Sequence, residues 1–466
     1  MAVEAAGRDV PTLTGWPVVG NLRALRTNYL GTISRADREL GGLARIVAGP
    51  PGWRLIMYSV TSPELIEEVL GSPERFGKQH PGYRELRGAL GDNMLTSEGD
   101  VWHRQRRFLA SVFTRRRVAE SYAPVMTDEA RRLVDRWRQP AATGTMLDGY
   151  PEMIKVASRV SGRILFGADM SAAADLLTRF RRVNDHLLRR AVAPHPLPTA
   201  APTPGNRRLH RDLRQIRAIV DTLIARRRDR PDPTASDMLG LLCAARDADD
   251  PADRLTDQEV AEQAMLFLLA GHDTTAVTLS CVVLLLAQHP DWQARLQAEV
   301  DDVLAGRTPT AADLDRLPWL GRVVRETLRL FPAAHGVGRS PATDQTLAGC
   351  RIPAGSWVEV SIWGVQHSAR VWPDPERFDP RRFDLPDRGL TDRAVPGSHR
   401  YAWLPFGAGA RACIGSVIAL TEVQLVLAAI LQTYQLRTPL ARTPVHAAIT
   451  LLPTGSLPFQ LSPRAT

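Results

Sequence analysis

The 466-residue sequence predicts a mainly α-helical protein with small β-sheets, an α+β chain. Three observations carry that prediction. Apolar residues recur at i, i+3 and i+4 through most of the chain. The few strand-like stretches are short and come in pairs around Pro/Gly turns. No regular β-α-β alternation runs through the sequence, which argues against a doubly wound sheet.

Residues 1–14 read as an N-terminal tail. The opening "MAVEAAGRDVPTLTGWPVVGN" carries acids and prolines and has no apolar h-region, so it is not a signal peptide and no membrane anchor is expected. "RIVAGPPGWRLIMYSV" then reads as two short strands around a Pro-Pro-Gly turn. "SPELIEEVL", "TDEARRLVDRWR", "PEMIKVASRVSGRILFG" and "RDLRQIRAIVDTLIARRRD" follow with helical spacing. Five prolines mark residues 193–206, "APHPLPTAAPTPGN", as a loop because proline cannot continue a helix. It is either a passive connection or a lid over a substrate entrance.

Thr256 and Glu259 form a T-x-x-E capping box, and the helical pattern runs from there to His289, before Pro290. That helix is longer than usual and apolar nearly all round, so it should cross the centre of the protein. Its apolar stretch Ala264–Ala287 is long enough to span a bilayer, but "HDTT" sits in the middle. An Asp there costs about 2.5–3.5 kcal/mol on insertion scales, and a buried helix explains the stretch better. Further on, "TLAGCRIPAGSWVEVSI" reads as two strands around a turn at Pro353, Ala354 and Gly355.

Composition excludes several classes of function. The chain is 44% hydrophobic and 23% charged, ordinary values for a folded protein with a large core. The net charge of +9 is carried almost wholly by arginine, with Lys78 and Lys155 as the lysines. No compact basic run with interleaved aromatics is present, so nucleic acid is a poor partner. Cys243, Cys281, Cys350 and Cys413 are scattered without paired spacing, which fits a reducing cytoplasm and gives no zinc signature.

The chemistry concentrates in "FGAGARACIG", Phe406–Gly415. Gly407-Ala-Gly409-Ala-Arg-Ala412 matches the dinucleotide fingerprint G-x-G-x-x-A, but the acid-bearing second strand that the fingerprint requires has no place in the helix that follows. The other reading centres on Cys413, at the start of that helix, where free N–H groups and the dipole favour a thiolate. Glycines allow close approach of a flat ligand, and Arg411 can pair with an anion. These features suit a haem iron ligand whose porphyrin carries propionates.

At this point the chain resembles the cytochrome P450 family. Phe406, Gly409, Arg411, Cys413 and Gly415 fit its F-x-x-G-x-R-x-C-x-G loop. "ETLR" (Glu326, Arg329) followed by "PERF" is similar to its Glu–Arg–Arg network, with Arg377 as third member. "AGHDTT", Ala270–Thr275, resembles its oxygen-activation motif, and "WHRQR" and "HGVGR" resemble segments that approach the haem edge. The resemblance spans nearly the whole chain and implies one domain over 1–466, with haem b (iron protoporphyrin IX) on an axial Cys413 thiolate and O2 as co-substrate. Implied cofactor contacts are Trp102, Arg106, Arg339, Phe406, Gly407, Arg411, Gly415 and Ala270. Asp273 and Thr274 would relay protons, while Glu326, Arg329 and Arg377 would be structural. The implied substrate pocket includes Leu266, Leu269, Ala270, Thr274, His335, Val337 and Ser456.

The resemblance further implies a cytoplasmic, bacterial-type monooxygenase and a monomer. Its two electrons would come from a ferredoxin or flavodoxin served by an NAD(P)H-dependent reductase. The expected substrate is a medium-sized, mostly apolar natural product, a terpenoid or an indole-type metabolite, taken through hydroxylation or a related oxidation. The rival readings are a peroxide-driven haem oxidase and a haem-binding protein without turnover.

Overall fold

From Arg8 onward the N-terminal segment is pinned to a sheet. We describe a computed structural model covering residues 8–167, 198–229, 236–246, 253–384 and 399–464, with isolated positions between 178 and 190. Leu13 N–H donates to Arg45 O at 2.8 Å, and Val10 and Leu13 are buried. The segment expected as a tail over residues 1–14 therefore joins the core from Arg8, because its apolar residues find a sheet edge to cover.

Helices α1 (Leu22–Thr27) and α2 (Tyr29–Leu40) lead into strands β1 (Leu43–Ala48) and β2 (Leu55–Val60). These two pair antiparallel across the Pro-Pro-Gly turn, as the sequence predicts. Next come α3 (Pro63–Gly71), β3 (Phe76–Gly77), α4 (Pro81–Leu90), α5 (Gly99–Ala110), α6 (Ala123–Arg136), β4 (Leu147–Asp148) and α7 (Gly149–Phe166). Residues 193–197 of the proline-rich segment lie outside the described residues. From Pro198 the chain turns and enters α8 (Pro204–Asp229), so Pro204, Gly205 and Asn206 are helical and not loop. Proline is tolerated in a first turn, where its missing N–H has no partner to lose. Thr203 Oγ1 caps the turn by accepting from Asn206 N–H.

The long helix α9 (Asp257–Gln288) forms as its capping box predicts. Thr256 Oγ1 accepts from Glu259 N–H at 3.2 Å, and Glu259 Oε2 accepts from Thr256 N–H at 2.8 Å. The helix is continuous and mostly buried. It is followed by α10 (Pro290–Leu304) and α11 (Pro318–Leu330).

Strands β5 (Val337–Pro341), β6 (Gln345–Leu347), β7 (Cys350–Ile352) and β8 (Trp357–Val360) correct one expectation. The two-stranded unit in "TLAGCRIPAGSWVEVSI" turns at Ala348 and Gly349, both with positive φ, and pairs β6 with β7. Pro353–Gly355 instead carries the chain to β8, in a five-stranded sheet of order β1-β2-β8-β5-β3. Helix α12 (Ser416–Thr433) and strands β9 (Tyr434–Arg437), β10 (Val445–Ala447), β11 (Leu451–Pro453) and β12 (Pro458–Pro463) complete the described chain. Helices α9 and α12 are long and apolar enough to cross a membrane, yet both are packed mostly inside the protein.

Candidate active site

The Cys413 loop is shaped by its own backbone. Gly407 N–H donates to Leu404 O, Ala412 N–H to Gly409 O, and Cys413 N–H to Phe406 O at 2.9 Å. Gly409 has φ +69°, and a Cβ there would lie 2.6 Å from Leu70 O, so both conformation and space require glycine. Cys413 is the exposed member of the four cysteines; Cys243 and Cys281 are buried and Cys350 is partly so. The residue is exposed as a whole, yet protein packed round the sulfur raises the thiol pKa above its ordinary value, against the pull of Gly415 N–H and Arg106. The helix start therefore does not by itself yield a thiolate, because desolvation outweighs it. A bound metal cation would remove the proton outright.

Phe113 links this loop to the central helix. Its ring edge lies 3.9 Å from where a Gly415 Cβ would sit, and its centroid is 5.2 Å from that of Phe267 on α9. On α9, Leu266 is buried, Leu269 is partly exposed and Ala270 is exposed. Gly271 allows the close crossing of α7, since a Cβ there would stand 2.9 Å from Ser161 Oγ. Thr274 Oγ1 donates to Ala270 O at 2.7 Å. Asp273 is buried; its Oδ1 accepts from Tyr150 O–H at 3.0 Å and lies 3.6 Å from His272 Nε2.

Buried cations gather at one side. Lys78 and Arg339 are buried, and Arg411 and Arg106 are half-buried. Lys78 Nζ donates to Leu95 O at 2.6 Å, Arg339 Nη1 to Gly338 O at 2.9 Å, and Arg411 Nη1 to Ser97 O at 2.8 Å. The Arg411 guanidinium also lies 4.0 Å above the Trp102 ring, and Arg106 reaches Met94 Sδ. These bonds end on neutral acceptors; the carboxylates nearby are Glu98, beside Lys78 and Arg411, and Glu359, beside Arg339, fewer than the cations. Burial, then Arg411 and Arg339, hold Lys78 well below the ordinary lysine value, and burial followed by Arg339 lowers Arg411 to about 10. Such a cluster is costly unless an anion completes it.

Behind the loop, Glu326 and Arg329 are fully buried and joined by two bonds, at 2.7 and 2.9 Å. Arg329 also donates to Gln366 O, and Gln366 Oε1 accepts from Leu404 N–H at 2.9 Å, which ties the network to the Cys413 loop. The third guanidinium is not that of Arg377. Arg377 is exposed and supplies its carbonyl to Arg329, while Arg382 Nε stands 3.4 Å from Glu326 Oε1. A one-turn 3-10 helix at Pro380–Phe383 swings Arg382 inward.

The family model described as Cytochrome P450 matches residues 10–462. The chain belongs to the cytochrome P450 family. It is 35% identical over 99% of its length, and 98% of the relative's, to cyclooctat-9-en-7-ol 5-monooxygenase of Streptomyces melanosporofaciens. It is 34% identical to pentalenene oxygenase of Streptomyces avermitilis over 90% of this chain and 89% of that one. The crystal structure of the cytochrome P450DA heme domain superposes with TM-score 0.86 at 27% identity, covering 99% of both chains. This cytochrome P450 is thus a monooxygenase of the oxidoreductase class, and its family implies haem on a cysteine thiolate and use of O2.

The residues present fit that group: an exposed cysteine on a glycine-shaped loop, with buried cations that call for the two carboxylates of a porphyrin. Lys78 belongs to this buried cation cluster and Tyr150 holds Asp273, and no sequence motif points to either. The pocket expectation also changes in this cytochrome P450. His335 points to Ala448 O (2.8 Å) and the Tyr29 ring (5.3 Å between centroids), and burial lowers its pKa. Val337 opens β5 opposite Val360. Ser456 is exposed beyond the open end of the β10–β11 hairpin. The register Ala447↔Leu451 puts the turn at Ala448, Ile449 and Thr450, so that tip docks on Ala333 and His335 in place of Ser456.

Proposed function

We propose that this chain oxidises a medium-sized, mostly apolar natural product of terpenoid type, with haem b held by Cys413 and electrons delivered singly by a separate ferredoxin or flavodoxin. The observation that carries this reading is the exposed Cys413 on its glycine loop, linked through Phe113 to the stretch of α9 that holds Ala270 and Thr274. The similarity to two terpenoid-oxidising enzymes of Streptomyces supports the substrate class.

When bound, the haem supplies activation of O2 and insertion of oxygen into an unactivated bond. The protein's part is positioning and protons. Lys78, Arg106, Arg339 and Arg411 hold the two propionates as charge-assisted donors. Leu266, Leu269 and Ala270 present an apolar wall that orients substrate and excludes water. Asp273, oriented by Tyr150, and Thr274 Oγ1 relay protons from α9 toward the reacting face.

The reduced carbonyl complex should show the red-shifted Soret band of thiolate ligation, and a sesquiterpene or diterpene hydrocarbon or alcohol should shift the resting visible spectrum. A histidine-type carbonyl band, or an unchanged spectrum in Cys413→His, refutes the ligand assignment. Thr274→Ala should release more peroxide per NAD(P)H consumed, and unchanged coupling removes Thr274 from the relay. Turnover with peroxide equal to that with a ferredoxin couple would favour peroxide-driven oxidation instead.

A further inference from the structure

One corner of the molecule exposes apolar side chains that soluble surfaces normally cover. Among the described residues seven large hydrophobics are exposed, and four of them lie here: Trp16 at 68%, Val18 at 64%, Val19 at 37% and Trp53 at 60%. They sit on two adjoining turns. The turn Trp16–Gly20 is closed by Trp16 N–H to Gly20 O at 3.0 Å and Gly20 N–H to Trp16 O at 2.9 Å. The β1–β2 turn carries Trp53, and Gly49 N–H donates to Val19 O at 2.9 Å, joining the two.

Two further observations point to a ligand surface. Val18 has φ +69°, a left-handed conformation that a β-branched residue adopts only under constraint. That strain turns its side chain outward into water, unfavourable on both counts unless something receives it. The charge is also one-sided. From Val10 to Ala36 and from Leu40 to Pro63 the sequence holds no Asp or Glu. Arg23, Arg26 and Arg54 are exposed around the turns, and Arg45 and Arg54 line a groove of about 380 Å³ with Thr12, Thr14, Trp16 and Asn21.

We propose that this corner is a peripheral membrane-docking surface, seating Trp16, Val18 and Trp53 at the headgroup level of an anionic bilayer with Arg23, Arg26 and Arg54 against lipid phosphates. Indole rings favour that interface, being apolar with one polar N–H, and arginines add attraction to anionic lipid. An acidic protein would answer the arginines but gives no reason for two exposed indoles beside a strained valine. Because α9 and α12 are packed mostly inside the protein, the proposed contact is of the surface kind.

The test is flotation of the haem-loaded full chain with vesicles of phosphatidylglycerol and phosphatidylcholine, compared with pure phosphatidylcholine. The protein should float with the anionic vesicles and lose that binding as salt rises. Trp16→Ser with Trp53→Ser should weaken partition about tenfold or more, and Arg23→Gln with Arg26→Gln should weaken it on anionic vesicles only. All four side chains are exposed, so melting and the visible spectrum should not change. No flotation, equal flotation with pure phosphatidylcholine, or undiminished binding by the double tryptophan variant overturns the proposal. A wild-type dimer that the tryptophan variant converts to monomer, without flotation, assigns the corner to a second copy instead.

Discussion

Replacing Arg382 with alanine should damage this protein more than replacing Arg377, although both lie in Arg-Phe pairs within nine residues of sequence. The Arg382 side chain is 13% exposed, and its Nε stands 3.4 Å from Glu326 Oε1. At that distance and an effective dielectric of about 20, the gross attraction is about 5 kcal/mol. Desolvating the guanidinium takes back much of it, leaving about 1–3 kcal/mol net, to which its bond to Asp374 O at 2.8 Å adds. Arg377→Ala keeps the carbonyl that Arg329 uses and removes an exposed side chain, a change within about 0.5 kcal/mol. Glu326→Gln sets the upper bound, because it strips the fully buried Arg329 of its counter-ion, at about 3–5 kcal/mol. Guanidinium denaturation of the haem-loaded protein, followed by far-UV circular dichroism and by the haem band, should rank the midpoints wild type, Arg377→Ala, Arg382→Ala, Glu326→Gln in falling order. Arg377→Ala as damaging as Arg382→Ala would refute the assignment.

Three further outcomes follow from named contacts. Gly409→Ala combines a left-handed backbone with a Cβ 2.6 Å from Leu70 O, whereas Gly407→Ala meets open space at a similar φ, so melting should show a loss of about 1–3 kcal/mol or more for the first and about 1 kcal/mol for the second. Lys78→Met should stabilise the haem-free protein, by removing a cation that Arg411 and Arg339 repel, while speeding haem loss to a scavenging globin about tenfold; haem loss at the wild-type rate would take Lys78 out of the cofactor edge. Burial pushes Glu359 up to about 7, against the donors Trp357 and Tyr29, so the folded state binds the extra proton between the ordinary glutamate value and about 7. Its contribution is therefore full at acid pH and lost as pH rises through 7, and Glu359→Gln should flatten that part of the stability–pH curve measured by urea denaturation.

What was legible in the sequence was what local chemistry decides. The α9 start needed only a Thr and a Glu three residues apart, and both reciprocal bonds formed. The Cys413 loop was legible because its glycines serve positive φ and a close approach that any chain of that spacing would need. What failed depended on register or on distant packing. "PERFDPRRF" offers two equivalent arginines, and only the 3-10 turn at Pro380–Phe383 decides which faces Glu326. Ser456 was expected in the substrate pocket from the resemblance alone; cross-strand pairing puts the turn that meets Ala333 and His335 at Ala448–Thr450. No motif points to Lys78, whose burial comes from Tyr83 and Leu95, residues that its own sequence neighbours do not announce.

The way this protein buries charge separates its scaffold from its site. Glu326 holds Arg329 with two bonds and accepts a third from Asp379 N–H, so that ion pair is complete within the chain. Glu359 takes donors from Tyr29 and Trp357, with the Arg339 charge nearby. Lys78, Arg339 and Arg411 break the pattern: they stand near one another with main-chain carbonyls as their main acceptors, and burial with mutual repulsion lowers the pKa of Lys78 and Arg411. Three cations thus face the nearby carboxylates Glu98 and Glu359, an excess of positive charge that suits an arriving anion.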